Sequence, residues 1–223
     1  MPRDIMGLIG KNGAGKSTTL KSMLNMVCPD DGTIKMLGRD FQSEEEACKQ
    51  EIGVVLGSIQ FYQMKKLQAI TNVTKRFYHN WDDSAYERYM SMFELDGQKR
   101  VKELSEGMKV KYLIALALSH DAKLLIFDEP TSGLDPVARD DLLELFQHLV
   151  KDGTRSILFS THITSDLDKC ADDITYIKNG KMIASASKDA FIQSFQYLKK
   201  PGENQPLNLE EIMIRNERGI YSV

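Results

Sequence analysis

One run of residues carries the plainest chemistry in this chain: Gly10-Lys11-Asn12-Gly13-Ala14-Gly15-Lys16-Ser17, with Thr18 following. Its spacing is G-x-x-x-x-G-K-[ST], in which a short loop wraps its backbone round the phosphates of a nucleotide. Glycine admits backbone conformations closed to other residues, so successive N–H groups can converge on phosphate oxygens. The start of the following helix adds positive potential. The residues expected to hold the nucleotide are Gly10, Asn12, Gly13, Ala14, Gly15, Lys16, Ser17 and Thr18. Lys16 is expected to reach the β- and γ-phosphates, Ser17 to offer its hydroxyl to Mg²⁺, and Thr18 to donate near the α-phosphate. The predicted ligand is MgATP.

A second pair of residues supplies what the loop lacks. Leu124-Leu125-Ile126-Phe127-Asp128-Glu129 reads as a buried strand ending in two adjacent carboxylates. Ligands of open α/β sheets sit at the carboxyl ends of the strands, which is where this pair falls. Asp128 can hold Mg²⁺ and its water shell, while Glu129 can orient or deprotonate the water that attacks the γ-phosphate. Two solvated acids at a strand end would read the same way in isolation; the phosphate loop upstream favours the catalytic reading.

These residues need particular elements to position them. Residues 5–9 form a short apolar strand ended by Gly10, and residues 16–26 alternate at helical spacing. Strands are also predicted at 33–37, 52–56, 124–127, 157–160, 175–178 and 181–184, the last two flanking the turn dipeptide Asn179-Gly180. Residues 61–100 are helical and aromatic-rich, with a break at 80–84, and Phe77, Tyr78, Trp81, Tyr86, Tyr89 and Phe93 are expected in a core. Ser105 can cap a helix to residue 119; Asp135-Pro136 opens another, with Leu142, Leu145, Phe146 and Leu149 as its apolar stripe and Gly153 as its stop. Short helices are expected at 43–50, 188–195 and 209–214. Alternating strands and helices imply an α/β fold, a mainly parallel sheet covered on both faces, carrying a helical insert.

Composition narrows the setting. A chain of 223 residues with 42% apolar and 27% charged residues can bury a core. A formal net charge of -3 gives no pull toward nucleic acid, and the pairs Lys65-Lys66 and Lys199-Lys200 read as solvated faces. Cys28, Cys48 and Cys170 are widely spaced and odd in number, suggesting reduced thiols rather than a disulfide framework or zinc site. No apolar run approaches the roughly 20 residues that span a bilayer, and the first residues carry no secretion signal.

Two further motifs narrow the family. Leu104-Ser105-Glu106-Gly107-Met108-Lys109 precedes the Asp-Glu pair; Ser132-Gly133-Leu134-Asp135 and Ser160-Thr161-His162 follow it. In this order the motifs resemble those of the nucleotide-binding subunit of an ABC transporter, over residues 5–195. The resemblance implies a P-loop NTPase (RecA-like) core over 1–57 and 120–196, a helical subdomain over 58–119, and a tail with a short helix over 197–223. It implies that Ser105 and Gly107 face the γ-phosphate held by a second ATPase subunit, homologous or identical. Ser105 heads a helix whose free N–H groups suit a phosphate. It further implies that Asp135 lies at the dimer interface and that His162 contacts the γ-phosphate and positions Glu129, so Lys16, Glu129 and His162 form the catalytic set. Such a subunit sits in the cytoplasm, on the inner face of the membrane, bound to an integral membrane permease. A soluble ABC-type ATPase is the alternative.

The chain departs from that pattern in three places. The signature reads L-S-E-G-M rather than L-S-G-G-Q, which resembles bacterial exporter ATPases encoded apart from their permease. Gly57 stands where the family ends its strand with a metal-contacting glutamine, leaving Gln60 as the nearest replacement metal ligand. Only nine residues precede Gly10, so the family's antiparallel β segment with its adenine-stacking aromatic is expected to be missing, with weakened adenine binding and a more exposed sheet edge. A permease helix is expected to dock on residues 57–67 and the helical insert.

Overall fold

Strands that are apolar on every residue must be covered on both sides, and the fold is built round that requirement. The computed structural model describes residues 4–56 and 62–218. Strands β1 (Ile5–Ile9), β4 (Ile52–Leu56), β5 (Leu124–Asp128), β6 (Ser156–Thr161), β7 (Asp173–Lys178) and β8 (Lys181–Ser187) form one sheet in the order β4-β5-β6-β1-β7-β8. All neighbours are parallel except β7 and β8. A small hairpin, β2 (Lys35–Met36) with β3 (Arg39–Asp40), stands apart.

Alternation along each strand sorts its side chains onto two cores. Ile5, Ile9, Leu125, Phe127, Ile157 and Phe159 face the larger core. Leu8, Ile126 and Leu158 face the smaller, packed under α1 (Lys16–Met23), the hairpin and α2 (Glu45–Gln50). In the larger core Phe146, from α6 (Pro136–Val150), packs between Phe127, tilted against it, and Phe159, edge-on, with ring centroids at 4.6 and 5.7 Å. Each such buried side chain contributes about 1.5–3 kcal/mol. The helix α5 (Glu106–Ser119) lies hard against β4: a Cβ on Gly53 would come within 2.4 Å of the Ala117 Cβ.

The insert is tied to α5 by a buried hydroxyl cluster. Thr71, on α3 (Leu67–Thr74), donates to Tyr86 Oη of α4 (Asp83–Met92) and lies 2.9 Å from Tyr112 Oη, which donates to the Leu67 carbonyl at 3.0 Å. Of the aromatics expected inside, Tyr86 and Phe93 are buried and Trp81 and Tyr89 partly so, but Phe77 is 68% exposed. It ends a 3₁₀ turn (Lys75–Phe77) whose outward side it occupies.

The expected strand at 33–37 contracts to two residues because Leu37 and Gly38 turn the chain with positive φ. The helix expected over 16–26 stops at Met23, with Asn25 left-handed at φ 55°. Leu143 is buried beside the stripe residues Leu142, Phe146 and Leu149, while Leu145 is only partly buried. The helix α7 (Thr164–Cys170) has no strong periodic signal, being seven residues of mixed polarity. The chain closes with α8 (Lys188–Ser194) and α9 (Leu209–Arg218), and Asn179-Gly180 makes the expected tight turn, both residues at positive φ. No helix among the described residues is long and apolar enough to cross a membrane.

Candidate functional site

The sheet register brings the polar strand ends to one level. Asp128 pairs with Ser160 across β5 and β6, Ser160 with Leu8 across β6 and β1, and Thr161 with Ile9 just below Gly10. The loop that follows β1 rests on the turn between β7 and β8. A Cβ on Gly10 would lie 2.4 Å from the Ile177 carbonyl oxygen, and Gly180 N donates to the Ala14 carbonyl at 2.8 Å. Gly13 and Gly15 both sit at positive φ (80° and 110°), a conformation that favours glycine. The loop closes through Ala14 N, which donates to the Lys11 carbonyl at 3.0 Å.

Lys16 is only 5% exposed, so its ammonium must find partners. It donates to the Gly10 carbonyl at 2.7 Å and pairs with Glu129 Oε1 at 2.9 Å. The other oxygen of Glu129 lies 2.7 Å from His162 Nδ1. Beside this row, Asp128 Oδ1 accepts from Ser17 Oγ at 3.0 Å and Ser160 Oγ at 2.6 Å. Ser160 Oγ in turn accepts from Glu129 N at 2.9 Å, fixing the step between the two acids. Glu129 is left-handed, at φ 51°, a conformation costing a non-glycine residue about 1–3 kcal/mol. That strain turns its carboxylate back toward Lys16 and His162.

The row opens on a cleft of about 340 Å³. Asn12, Gly13, Gly15, Lys16, Ser17 and Thr18 line it from the loop, and Glu129, Ser132 and His162 from the ends of β5 and β6. Backbone N–H groups, a buried ammonium and a helix start suit a polyanion. Ser17 and Asp128 offer adjacent hard oxygens, the donor type Mg²⁺ takes alongside phosphate oxygens, so the pair fits that ion.

Six of the expected site residues among those described do not line this cleft: Gly10, Ala14 and Asp128, which belong to the loop and the hydrogen-bond network beside it, and Ser105, Gly107 and Asp135, which do not. Ser105 is exposed and caps α5, its Oγ accepting from Met108 N at 3.2 Å. Glu106 pairs with Lys109 at 2.7 Å. Gly107 packs near Leu134 and Ala138. Asp135 caps α6 through Val137 N and Ala138 N, both at 3.0 Å. Gly57 and Gln60 lie outside the described residues.

The sequence motifs contain Ser132 and Ser160 but give neither a role, and they say nothing of a buried carboxylate, Asp166, and its partner Arg139. The role of Ser160 would be found only by knowing which residue of β6 faces Asp128. The motifs also miss Glu217, on α9, which pairs with Lys11 of the loop at 3.3 Å and accepts from Tyr176 Oη at 2.6 Å.

A glycine loop between β1 and α1, with an acidic strand end two strands away, defines a P-loop nucleotide-binding fold. Residues 2–132 match the ABC transporter family, and the chain belongs to it. It is 34% identical over 193 residues to the Nod factor export ATP-binding protein I of Burkholderia lata, covering 84% of this chain and 63% of that protein. It is 31% identical over 199 residues to the bacitracin transport ATP-binding protein of Bacillus licheniformis, covering 88% and 63%. The chain thus spans less than two thirds of the length of either relative. A solved structure of the ATP binding subunit of an ABC transporter superposes with a TM-score of 0.81 at 27% identity, covering 96% of this chain and 88% of that one.

Proposed function

We propose that this chain is the ATP-binding and ATP-hydrolysing subunit of an ABC transporter, and that its permease exports. The observation that carries the reading is the row Lys16–Glu129–His162 beside Ser17–Asp128, all at one cleft in a chain of this family. The relatives' names, both of export or transport ATP-binding proteins, support the direction.

In the chain alone, Glu129 neutralises Lys16. A triphosphate entering the cleft competes for that ammonium, and its transfer to the β- and γ-phosphates frees Glu129 Oε1 to accept a proton from water. His162, already on Glu129 Oε2 through Nδ1, holds the carboxylate in line, and as an imidazolium can also donate toward the γ-phosphate through Nε2. Ser17 and Asp128 would hold Mg²⁺, which when bound neutralises phosphate charge as the bond to the leaving group breaks.

Ser105 and Gly107 lie away from the cleft of their own chain, which supports a site finished by a second subunit, with Asp135 at the contact. The start of α5 would then present its N–H groups to the partner's γ-phosphate. The permease would dock on the insert, where Tyr62, Val73 and Phe77 are all more than half exposed, and would hold the subunit at the cytoplasmic face of a membrane. Residues 1–57 and 120–196 would act as the ATP-binding core, 58–119 as the signature-bearing subdomain and 197–223 as the tail. Replacing Glu129 by glutamine tests the reading: hydrolysis should fall at least about 100-fold while ATP is still bound. Hydrolysis at the wild-type rate would refute Glu129 as the base.

A further inference from the structure

Behind the cleft lies a carboxylate that the reaction outlined above does not use. Asp166, in the first turn of α7, has no exposed surface. Its Oδ2 accepts from Thr131 Oγ1 at 2.7 Å and from Thr161 Oγ1 at 3.2 Å. Its Oδ1 takes Arg139 Nε and Nη2, both at 2.5 Å.

Each of these donors belongs to a different segment of the site. Thr131 lies two residues beyond Glu129. Thr161 immediately precedes His162, and its Oγ1 also accepts from Ile163 N at 3.0 Å, closing the turn that carries the imidazole. Arg139 lies one turn into α6, its own N–H donating to the Asp135 carbonyl at 3.0 Å. A single buried acid therefore joins the segments bearing Glu129, His162 and Asp135.

Such a group is an expensive way to fill space. Taking a carboxylate and a guanidinium out of water costs so much that apolar residues of similar volume often serve stability as well or better. What three directed hydrogen bonds and an ion pair supply, and apolar packing does not, is fixed orientation. That orientation is transmitted to reacting groups by one covalent step, from Thr161 to His162.

We propose that Asp166 is a positioning residue: through Thr161 and Thr131 it holds His162 against Glu129, and through Arg139 it locks that pair to the turn ending at Asp135. The inference rests on the proposed roles of Glu129 and His162 in hydrolysis. It predicts that the cost of disturbing Asp166 falls on turnover rather than nucleotide binding, and that it vanishes once His162 is gone.

The experiment compares ATP hydrolysis by Asp166→Asn and by the milder Thr161→Val in wild-type and His162→Ala backgrounds, with thermal unfolding confirming a folded chain. In the wild-type background Asp166→Asn should lower kcat about 10- to 100-fold, as loss of a supporting hydrogen-bond partner typically does, with KM for ATP within about twofold. Thr161→Val, which removes one link and leaves the Asp166–Arg139 ion pair, should lower kcat about threefold and keep the fold if Asp166→Asn does not. In the His162→Ala background both should cost less than about twofold. Equal losses in both backgrounds, or full activity of both folded variants, would overturn the proposal.

A second measurement reads the His162–Glu129 contact itself and is independent of turnover. In the histidine-labelled, nucleotide-free protein, the imidazole resonances of His162 should shift on Thr161→Val, with those of His79 and His148 unmoved. An unmoved His162 overturns the positioning role. A wild-type chain that bound ATP without hydrolysing it would instead refute the proposed function and leave this readout standing.

Discussion

The phosphate loop and the signature turn are both glycine-bearing starts of helices, yet their surroundings differ. At residues 10–17 the groups that shape the loop find partners within the chain: the Ala14 carbonyl in Gly180, Lys16 in Gly10 and Glu129, Ser17 in Asp128. At residues 105–107 the hydroxyl of Ser105 caps its own helix, Glu106 pairs locally, and the surface is open. The first region takes its shape entirely from one folded chain. The second is stable as it stands, and under the proposed function it acts only with another copy or a paralogue.

Ser105→Arg breaks that comparison most forcefully. It places a bulky cation on an exposed cap, so the fold and the chain's own nucleotide affinity should survive while hydrolysis stops. Mixing it with Lys16→Ala, also inactive alone, should restore turnover, because a mixed dimer contains one intact loop facing one intact signature turn. Two inactive variants that stay inactive when mixed, under conditions where dimers exchange, would show that the turn acts within its own chain.

Two glycines sharpen the comparison at smaller scale. Gly10→Ala pushes a Cβ to 2.4 Å from the Ile177 carbonyl, so the chain must shift, at about 1–3 kcal/mol of stability, and the loop with it. Gly107→Ala meets only ordinary contacts, 3.6 Å to Ala138 and 3.7 Å to Leu134. It should leave stability unchanged or raise it by up to about 1 kcal/mol through helix propensity. Hydrolysis should nonetheless fall about tenfold if the added methyl meets a phosphate carried by the partner, which steady-state assays beside thermal melts would separate.

The same contrast explains what could be read before the fold was known. The apolar strands at 5–9 and 124–127 are legible because a strand covered on both faces has no polar alternation to blur it, and 52–56 carries the same apolar run although Val54 is exposed at the sheet edge. The caps at Ser105 and Asp135 are legible because their chemistry is local. Ser160 and Asp166 are not: one acts through register between neighbouring strands, the other through donors spread across residues 131–161. Phe77 misleads for a related reason, since helical spacing tells which residues share a face but not whether the chain covers it. The role proposed for residues 105–107 is the hardest case, because it rests on the resemblance of ordered motifs rather than on a contact within the chain.

The smallest expected effect tests how far the completeness of the loop depends on its neighbours. Glu217 reaches Lys11 from α9, near the far end of the sequence. Lys11 is more than half exposed, so the pair is screened and contributes less than about 1 kcal/mol. Glu217→Gln removes the charge but keeps an oxygen for Tyr176 Oη, and should lower stability by no more than that. If the loop is held chiefly by Gly180 and the Ala14–Lys11 closure, ATP affinity should change less than about threefold, as expected for one exposed ion pair. A larger loss of affinity at unchanged stability would show that α9 belongs to the nucleotide site, and that the loop too is finished by a distant part of the chain.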